Sequence, residues 1–227
     1  MTEVAFWYDF ASTYSYLSAM RIGARAAAAG IHLRWRPFLL GPLFKEQGWT
    51  DSPFNIYPAK GRYMWRDLER LCAKEGLAFR HPSVFPRHSV LAARVAVVAD
   101  QEGWCPQFST AVFSANFADD REIAEPATLG AILEDLGQPA DAVLARANGT
   151  QTKAALRQQT EEAKRLGIFG APSFIVGDEL FWGNDRLDDA LAWACDDRRA
   201  RPGSAPESGH AQAVMPTRVS DARSNTP

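Results

Sequence analysis

Strand patterns stand at the two ends of this sequence with a long helical stretch between them, and few folds tolerate that split. Val4-Ala-Phe-Trp-Tyr8 is β-branched and aromatic, long enough for one buried strand. Over 13–29, Tyr16, Leu17, Met20, Ile22 and an alanine run suit a helix, and Gly30 is a natural C-terminal stop. Ile31-His-Leu-Arg-Trp-Arg36 alternates apolar and charged residues, as a half-buried strand does, and Pro37 ends it. A strand, helix and strand joined by a crossover gives two parallel strands with a right-handed connection. Near the other end, Ser173-Phe-Ile-Val176 and Glu179-Leu-Phe-Trp182 flank Gly177-Asp178 as a tight hairpin, and a last helix is expected over 186–195.

Between these ends the helix pattern recurs over 62–74, 88–102, 106–117, 127–136, 140–147 and 152–166, punctuated by Gly and Pro at Gly76, Pro82, Pro86, Gly103, Pro126, Gly137 and Gly149. The expected fold is therefore α/β and thioredoxin-like, β-α-β followed by β-β-α, with a large helical domain inserted. The sequence divides into 1–57 and 167–195 as the two parts of the thioredoxin-like domain, 58–166 as the insertion, and 196–227 as a disordered tail. The tail is rich in Pro, Ser, Gly and charge and lacks apolar periodicity.

Composition narrows the function. Of 227 residues 46% are hydrophobic, and thirteen Phe, seven Trp and five Tyr supply a substantial core. With 25 basic against 27 acidic residues the chain has no basic footprint for nucleic acid or a membrane surface. It contains no apolar run long enough to span a bilayer, and MTEVAFWYDF has neither a basic n-region nor a signal-like apolar stretch. The expected location is the cytoplasm. Cys72, Cys105 and Cys195 lie far apart, and neither they nor His32, His81, His88 and His210 form a metal-ligand or redox spacing, so no metal is expected.

Three stretches carry chemistry. The first is Tyr8-Asp-Phe-Ala-Ser-Thr-Tyr-Ser15, where a strand gives way to a helix. Serines stand at 12 and 15, where a redox protein would hold Cys-x-x-Cys. Ser12 alone reads as a helix N-cap. It can also donate a hydrogen bond to a thiolate brought in by a cosubstrate, with the helix N-terminus favouring the anion. An ordinary thiol has a pKa of about 8.5, so stabilising the charged form raises the nucleophile present near neutral pH. The second stretch is Phe169-Gly-Ala-Pro-Ser173. A cis bond before Pro172 would expose the Ala171 backbone beside Ser12, where an extended peptide could pair with it. The third is Trp182-Gly-Asn-Asp-Arg-Leu187. Asn184 or Asp185 would cap a helix by default, yet amides at a helix N-terminus beside the Asp185 carboxylate suit an amino-acid zwitterion. Glutathione offers such a zwitterion, an extended peptide and a thiol.

Together, Asp9-Phe-Ala-Ser-Thr-Tyr-Ser-Tyr-Leu17, Gly170-Ala-Pro-Ser173 and Gly177-Asp-Glu-Leu-Phe-Trp-Gly-Asn-Asp-Arg-Leu187 resemble the 2-hydroxychromene-2-carboxylate isomerases, glutathione-dependent enzymes of aromatic-hydrocarbon breakdown related to kappa-class glutathione transferases. The resemblance covers residues 1–195 and implies a homodimer. It implies Ser12 as the catalytic residue that hydrogen-bonds the glutathione sulfur, with Ala171 and Pro172 meeting the cysteinyl part and Trp182, Gly183, Asn184 and Asp185 holding the γ-glutamyl end. Lys45 and Asn55 fall at substrate-pocket positions, and Lys60 is a candidate for a carboxylate of glutathione or substrate. Two departures stand out: Thr13 replaces the family's usual Pro, and Phe85-Pro-Arg-His88 replaces Phe-Pro-x-Asn. The alternatives are a kappa-type transferase or peroxidase acting on other electrophiles, a disulfide oxidoreductase, disfavoured by the missing cysteines, and a non-catalytic glutathione-binding module.

Overall fold

The computed structural model describes residues 3–200, with side chains described through Asp196. Four strands form one sheet in the order β2-β1-β3-β4, from β1 (Glu3–Tyr8), β2 (His32–Pro37), β3 (Ser173–Val176) and β4 (Glu179–Trp182). β1 and β2 are parallel, joined over α1 (Thr13–Ala28), whereas β3 runs antiparallel to both β1 and β4. This is the thioredoxin-like α/β arrangement. Gly177, at φ +59°, makes the β3–β4 turn that a residue with a Cβ would resist.

Side-chain alternation along β1 decides what each face holds. Val4, Phe6 and Tyr8 enter one large core, and Trp7 enters a smaller one on the other face with Phe38, Leu40, Leu43, Ala163 and Ile168. Phe6 stacks on Phe174 at 5.5 Å and meets Trp35 edge-on at 5.1 Å, locking β1 to both of its neighbours through aromatic pairs. The large core continues from the sheet into the helices between β2 and β3: α4 (Pro58–Glu75), α5 (Val90–Glu102), α6 (Cys105–Phe117), α7 (Pro126–Asp135), α8 (Ala140–Ala147) and α9 (Thr150–Arg165). Met64, Val95, Phe113, Leu129 and Val143 are all buried in it.

Several boundaries differ from the sequence reading. Two short helices, α2 (Leu40–Glu46) and α3 (Pro53–Ile56), occupy a stretch without clear periodicity, the second started by the Ser52 hydroxyl accepting from the Phe54 amide at 3.3 Å. α4 begins at Pro58, a residue suited to the first helical turn, rather than at 62. α5 begins at Val90 rather than at 88, which leaves His88 and Ser89 in the preceding loop. The final helix α10 runs Leu187–Ala200, past the expected end at 195, so residues 196–200 are helical. The rest of the expected tail, 201–227, lies outside the described residues.

Candidate active site

Ser12 sits at the junction of β1 and α1, and the geometry there is set by hydrogen bonds. Its amide donates to the Asp9 carbonyl at 2.9 Å, and its hydroxyl oxygen accepts from the Ser15 amide at 3.2 Å as the N-cap of α1. The same hydroxyl donates to the Ala171 carbonyl at 3.0 Å, across the sheet from its own loop. The Ala171–Pro172 peptide is cis, and the Pro172 carbonyl accepts from the Gly183 amide at 3.0 Å. Ser12, Ala171, Pro172 and Gly183 thus lie along one continuous seam. Ser15 is fully buried in the first turn of α1. Thr13 is turned away: its hydroxyl donates to the Met64 sulfur at 3.2 Å, so it does not compete with Ser12.

Two cavities meet at that seam, sharing Tyr14, Ala171 and Trp182. One, about 770 Å³, is a polar cleft between α1, α4 and the start of α10. It gathers Asp67, Glu75 and Asp185 with Arg21 and Lys74, so both signs of charge are present. Tyr14 donates to Asp67 at 2.9 Å; burial, reinforced by that carboxylate, pushes its phenol far up and keeps it neutral. Arg21 pairs with Glu75 at 3.0 Å and also donates to Asn184 Oδ1, which accepts from Ser18 as well. The Asn184 side chain is therefore occupied in tying the turn to α1, whereas the exposed Asp185 lines the cleft. Gly183, at φ +111° and ψ 150°, holds a backbone shape essentially restricted to glycine, and a Cβ there would stand 2.5 Å from the Asp185 carboxylate.

The second cavity, about 540 Å³, is walled by Phe44, Trp49, Phe54, Phe85, Phe169 and Trp182. Phe44 packs on Trp49 at 5.3 Å and Phe169 on Trp182 at 4.8 Å. Gly170 lets Trp182 lie against the chain, since a Cβ would collide with the indole. Lys60 lines this cavity, with Nζ 4.9 Å from the Tyr57 ring centre. Lys45 is exposed on α2 and is not among the lining residues. Asn55 is not among them either; its amide donates to Asp51 at 3.1 Å and to the Phe85 carbonyl at 3.2 Å, bracing the wall from behind.

Sequence reasoning missed Asp9. Its carboxylate accepts from the Ala11 amide at 2.9 Å and the Leu40 amide at 2.7 Å. One buried residue thereby joins the Ser12 loop to the start of α2. Burial raises its pKa, and those donors pull it part of the way back. The only available signal was an Asp three residues before Ser12, which by itself reads as an ordinary turn residue. Burial pushes the Cys72 and Cys105 thiols up to about 11, which makes both poor nucleophiles near neutrality. Among the described residues no cluster could hold a metal ion, and no helix is long and apolar enough to cross a membrane.

The arrangement can present a hydrogen-bond donor and a helix N-terminus to an anion at the seam, with a zwitterion-compatible cleft on one side and an aromatic cavity on the other. A family model described as the DSBA-like thioredoxin domain matches residues 3–192. The 2-hydroxychromene-2-carboxylate isomerase of Sphingobium xenophagum is 30% identical over 187 residues, covering 82% of this chain and 94% of that protein. Glutathione S-transferase kappa 1 of Homo sapiens is 26% identical over 199 residues, covering 82% and 87%. The solved selenomethionine structure of a 2-hydroxychromene-2-carboxylate isomerase superposes with a TM-score of 0.78 at 24% identity, covering 87% of this chain and 98% of that chain.

Proposed function

The chain belongs to the DSBA-like thioredoxin domain family, with 2-hydroxychromene-2-carboxylate isomerases and kappa-class glutathione transferases among its relatives, and on that premise we propose that it is a glutathione-dependent isomerase. Its substrate would be a 2-hydroxychromene-2-carboxylate and its product the trans-o-hydroxybenzylidenepyruvate. The observation that carries this reading is the Ser12 hydroxyl, which caps α1 and reaches the Ala171 carbonyl at 3.0 Å where the two cavities meet. Disulfide chemistry at this junction is excluded because residues 12 and 15 are serines.

The chain's own residues fit glutathione. The polar cleft offers Asp67 and Asp185 to an ammonium and the Lys74 cation to a carboxylate, and Trp182 and Gly183 shape its mouth. At Ala171 the carbonyl now held by Ser12 is the acceptor an extended peptide would use. When such a peptide pairs there, the Ser12 hydroxyl turns its proton toward the sulfur and still accepts from the Ser15 amide. Hydrogen bonding to the charged form then lowers the thiol pKa. When bound, glutathione supplies a thiolate that adds reversibly to the conjugated alkene of the ring-opened substrate, permits rotation about the resulting single bond, and is expelled unchanged. The aromatic walls exclude water and hold the ring, while Lys60 stands at hand for a carboxylate of glutathione. Cytoplasmic location and assembly as a homodimer belong to the same reading.

The test is spectrophotometric: purified protein with 2-hydroxychromene-2-carboxylate, with and without glutathione. Equilibration that requires glutathione and leaves its concentration unchanged is expected. Stable adducts with general electrophiles, without isomerisation, would make the protein a kappa-type transferase. Glutathione binding with no turnover of either kind would reduce it to a binding module.

A further inference from the structure

An anionic aromatic substrate needs a partner for its carboxylate inside the aromatic cavity, and among the described lining residues Asp9, Tyr14, Lys60, Arg87 and His88 are the titratable ones. Tyr14 is neutral and donates to Asp67, and Asp9 is an acid already occupied by two amide donors. The Arg87 side chain is 2% exposed and bound to Asn116 at 2.9 Å, to Asp120 and to Glu122 at 3.4 Å, so its guanidinium faces the protein interior. His88 is exposed and lines the cavity, while its neighbours on both sides are buried. Arg87 is anchored inward, and the Ser89 carbonyl accepts from the Ala93 amide at 2.8 Å where α5 begins. The backbone on each side of His88 is thus pinned, and the exposed His88 lines the space where a ligand would lie, with the Asp9 carboxyl near enough for the two to interact electrostatically. Lys60 also lines the cavity, but it lies against the Tyr57 ring at the exposed first turn of α4.

We propose that His88 is the specificity-determining residue that recognises the substrate carboxylate, with the inward-anchored Arg87 and the buried Ser89 at the start of α5 as its positioning elements. An imidazole N–H donating to a carboxylate is a charge-assisted hydrogen bond, and this contact selects aromatic acids over neutral aromatics of the same shape. The inference rests on the aromatic cavity being the substrate site.

Salicylate and its neutral amide, salicylamide, separate these roles without requiring turnover. Each would be titrated against the full chain and followed by tryptophan fluorescence, with His88→Gln and Lys60→Gln alongside. His88 is exposed, so its replacement leaves folding intact. The wild-type chain should prefer salicylate, and His88→Gln should weaken salicylate about 10-fold or more while leaving salicylamide unchanged. Lys60→Gln should leave the preference in place. Equal loss of both ligands in His88→Gln, an unchanged preference in that variant, a preference lost in Lys60→Gln alone, or no preference in the wild-type chain would each overturn the assignment. If hydroxychromene turnover is absent but the His88-dependent preference persists, the reaction assignment fails and this one stands. If turnover is present with an unaltered KM in His88→Gln, the reverse holds.

Discussion

Replacing Ser12 with Ala removes three interactions whose effects separate by size. The cap to the Ser15 amide is lost, and an N-cap deletion of this kind costs about 1 kcal/mol. In a chain of this length that lowers Tm by roughly 2–4 °C. The bond to the Ala171 carbonyl is also lost, but that carbonyl faces two cavities and can be satisfied by solvent or ligand. The third interaction forms with bound glutathione. A hydrogen bond to a charged group contributes about 1.5–3 kcal/mol. At 1.36 kcal/mol per pKa unit this corresponds to a rise of roughly one to two units in the bound thiol. Near neutral pH the thiolate, and with it the rate, should fall about 10- to 100-fold, while affinity for the thiol form stays within a few-fold. The thiolate's ultraviolet absorbance, followed against pH with glutathione saturating, reads the pKa directly, and kcat measured in parallel should fall with the thiolate fraction. A bound thiol whose pKa is the same in both proteins would refute the role given to Ser12, even if the variant were less stable.

Three further outcomes follow from the geometry. Gly183→Ala forces a Cβ into a glycine-only backbone region and against Asp185; a loss of roughly 1–3 kcal/mol by thermal unfolding, with weaker glutathione binding by calorimetry, is expected. Asp9 has a folded pKa raised by burial above its unfolded value, so the folded state binds more protons in the window between the two. Its contribution is present below the unfolded pKa and is lost as pH rises through the folded one. The Tm of Asp9→Asn should therefore gain on wild type as pH rises above the unfolded Asp pKa of about 3.9, whatever the constant offset, and parallel pH profiles would contradict the shift. Cys72 and Cys105, buried and pushed up to about 11, should resist iodoacetamide in the folded protein at neutral pH, and mass spectrometry of labelled peptides checks this.

Much of the fold was legible because it rests on local pattern. β1 shows as a β-branched and aromatic run and β2 as an alternation of apolar and charged residues, Gly177-Asp178 marks the hairpin, and Pro or Gly bounds most of the inserted helices. α2 and α3 were not legible: Gly41-Pro42, Gly48 and Pro53 break the spacing, and burial of Leu40 and Leu43 in the small core rather than periodicity makes α2 a helix. The site divides the same way. Ser12 and Ala171 could be placed together only through a fold expectation, since 159 residues separate them. Asp9 depends on the Leu40 amide, and Asn184 on Ser18 and Arg21, all brought in by tertiary folding. The family resemblance implies a pocket position for Lys45, but α2 presents it to solvent.

The bonds from α1 to α4, Thr13 to Met64, Tyr14 to Asp67 and Arg21 to Glu75, run in register along both helices and fasten the polar cleft to the helix that Ser12 caps. Towards residues 41–57 and 85–88, which form most of the aromatic wall, α1 makes a ring contact from Tyr14 to Phe54 at 6.3 Å but no hydrogen bond or ion pair among the described residues. Such a layout divides the site into a stiff half and a tolerant half. A substitution in the seam or the polar cleft disturbs two helices together, whereas the aromatic wall can change in length and chemistry without breaking those bonds.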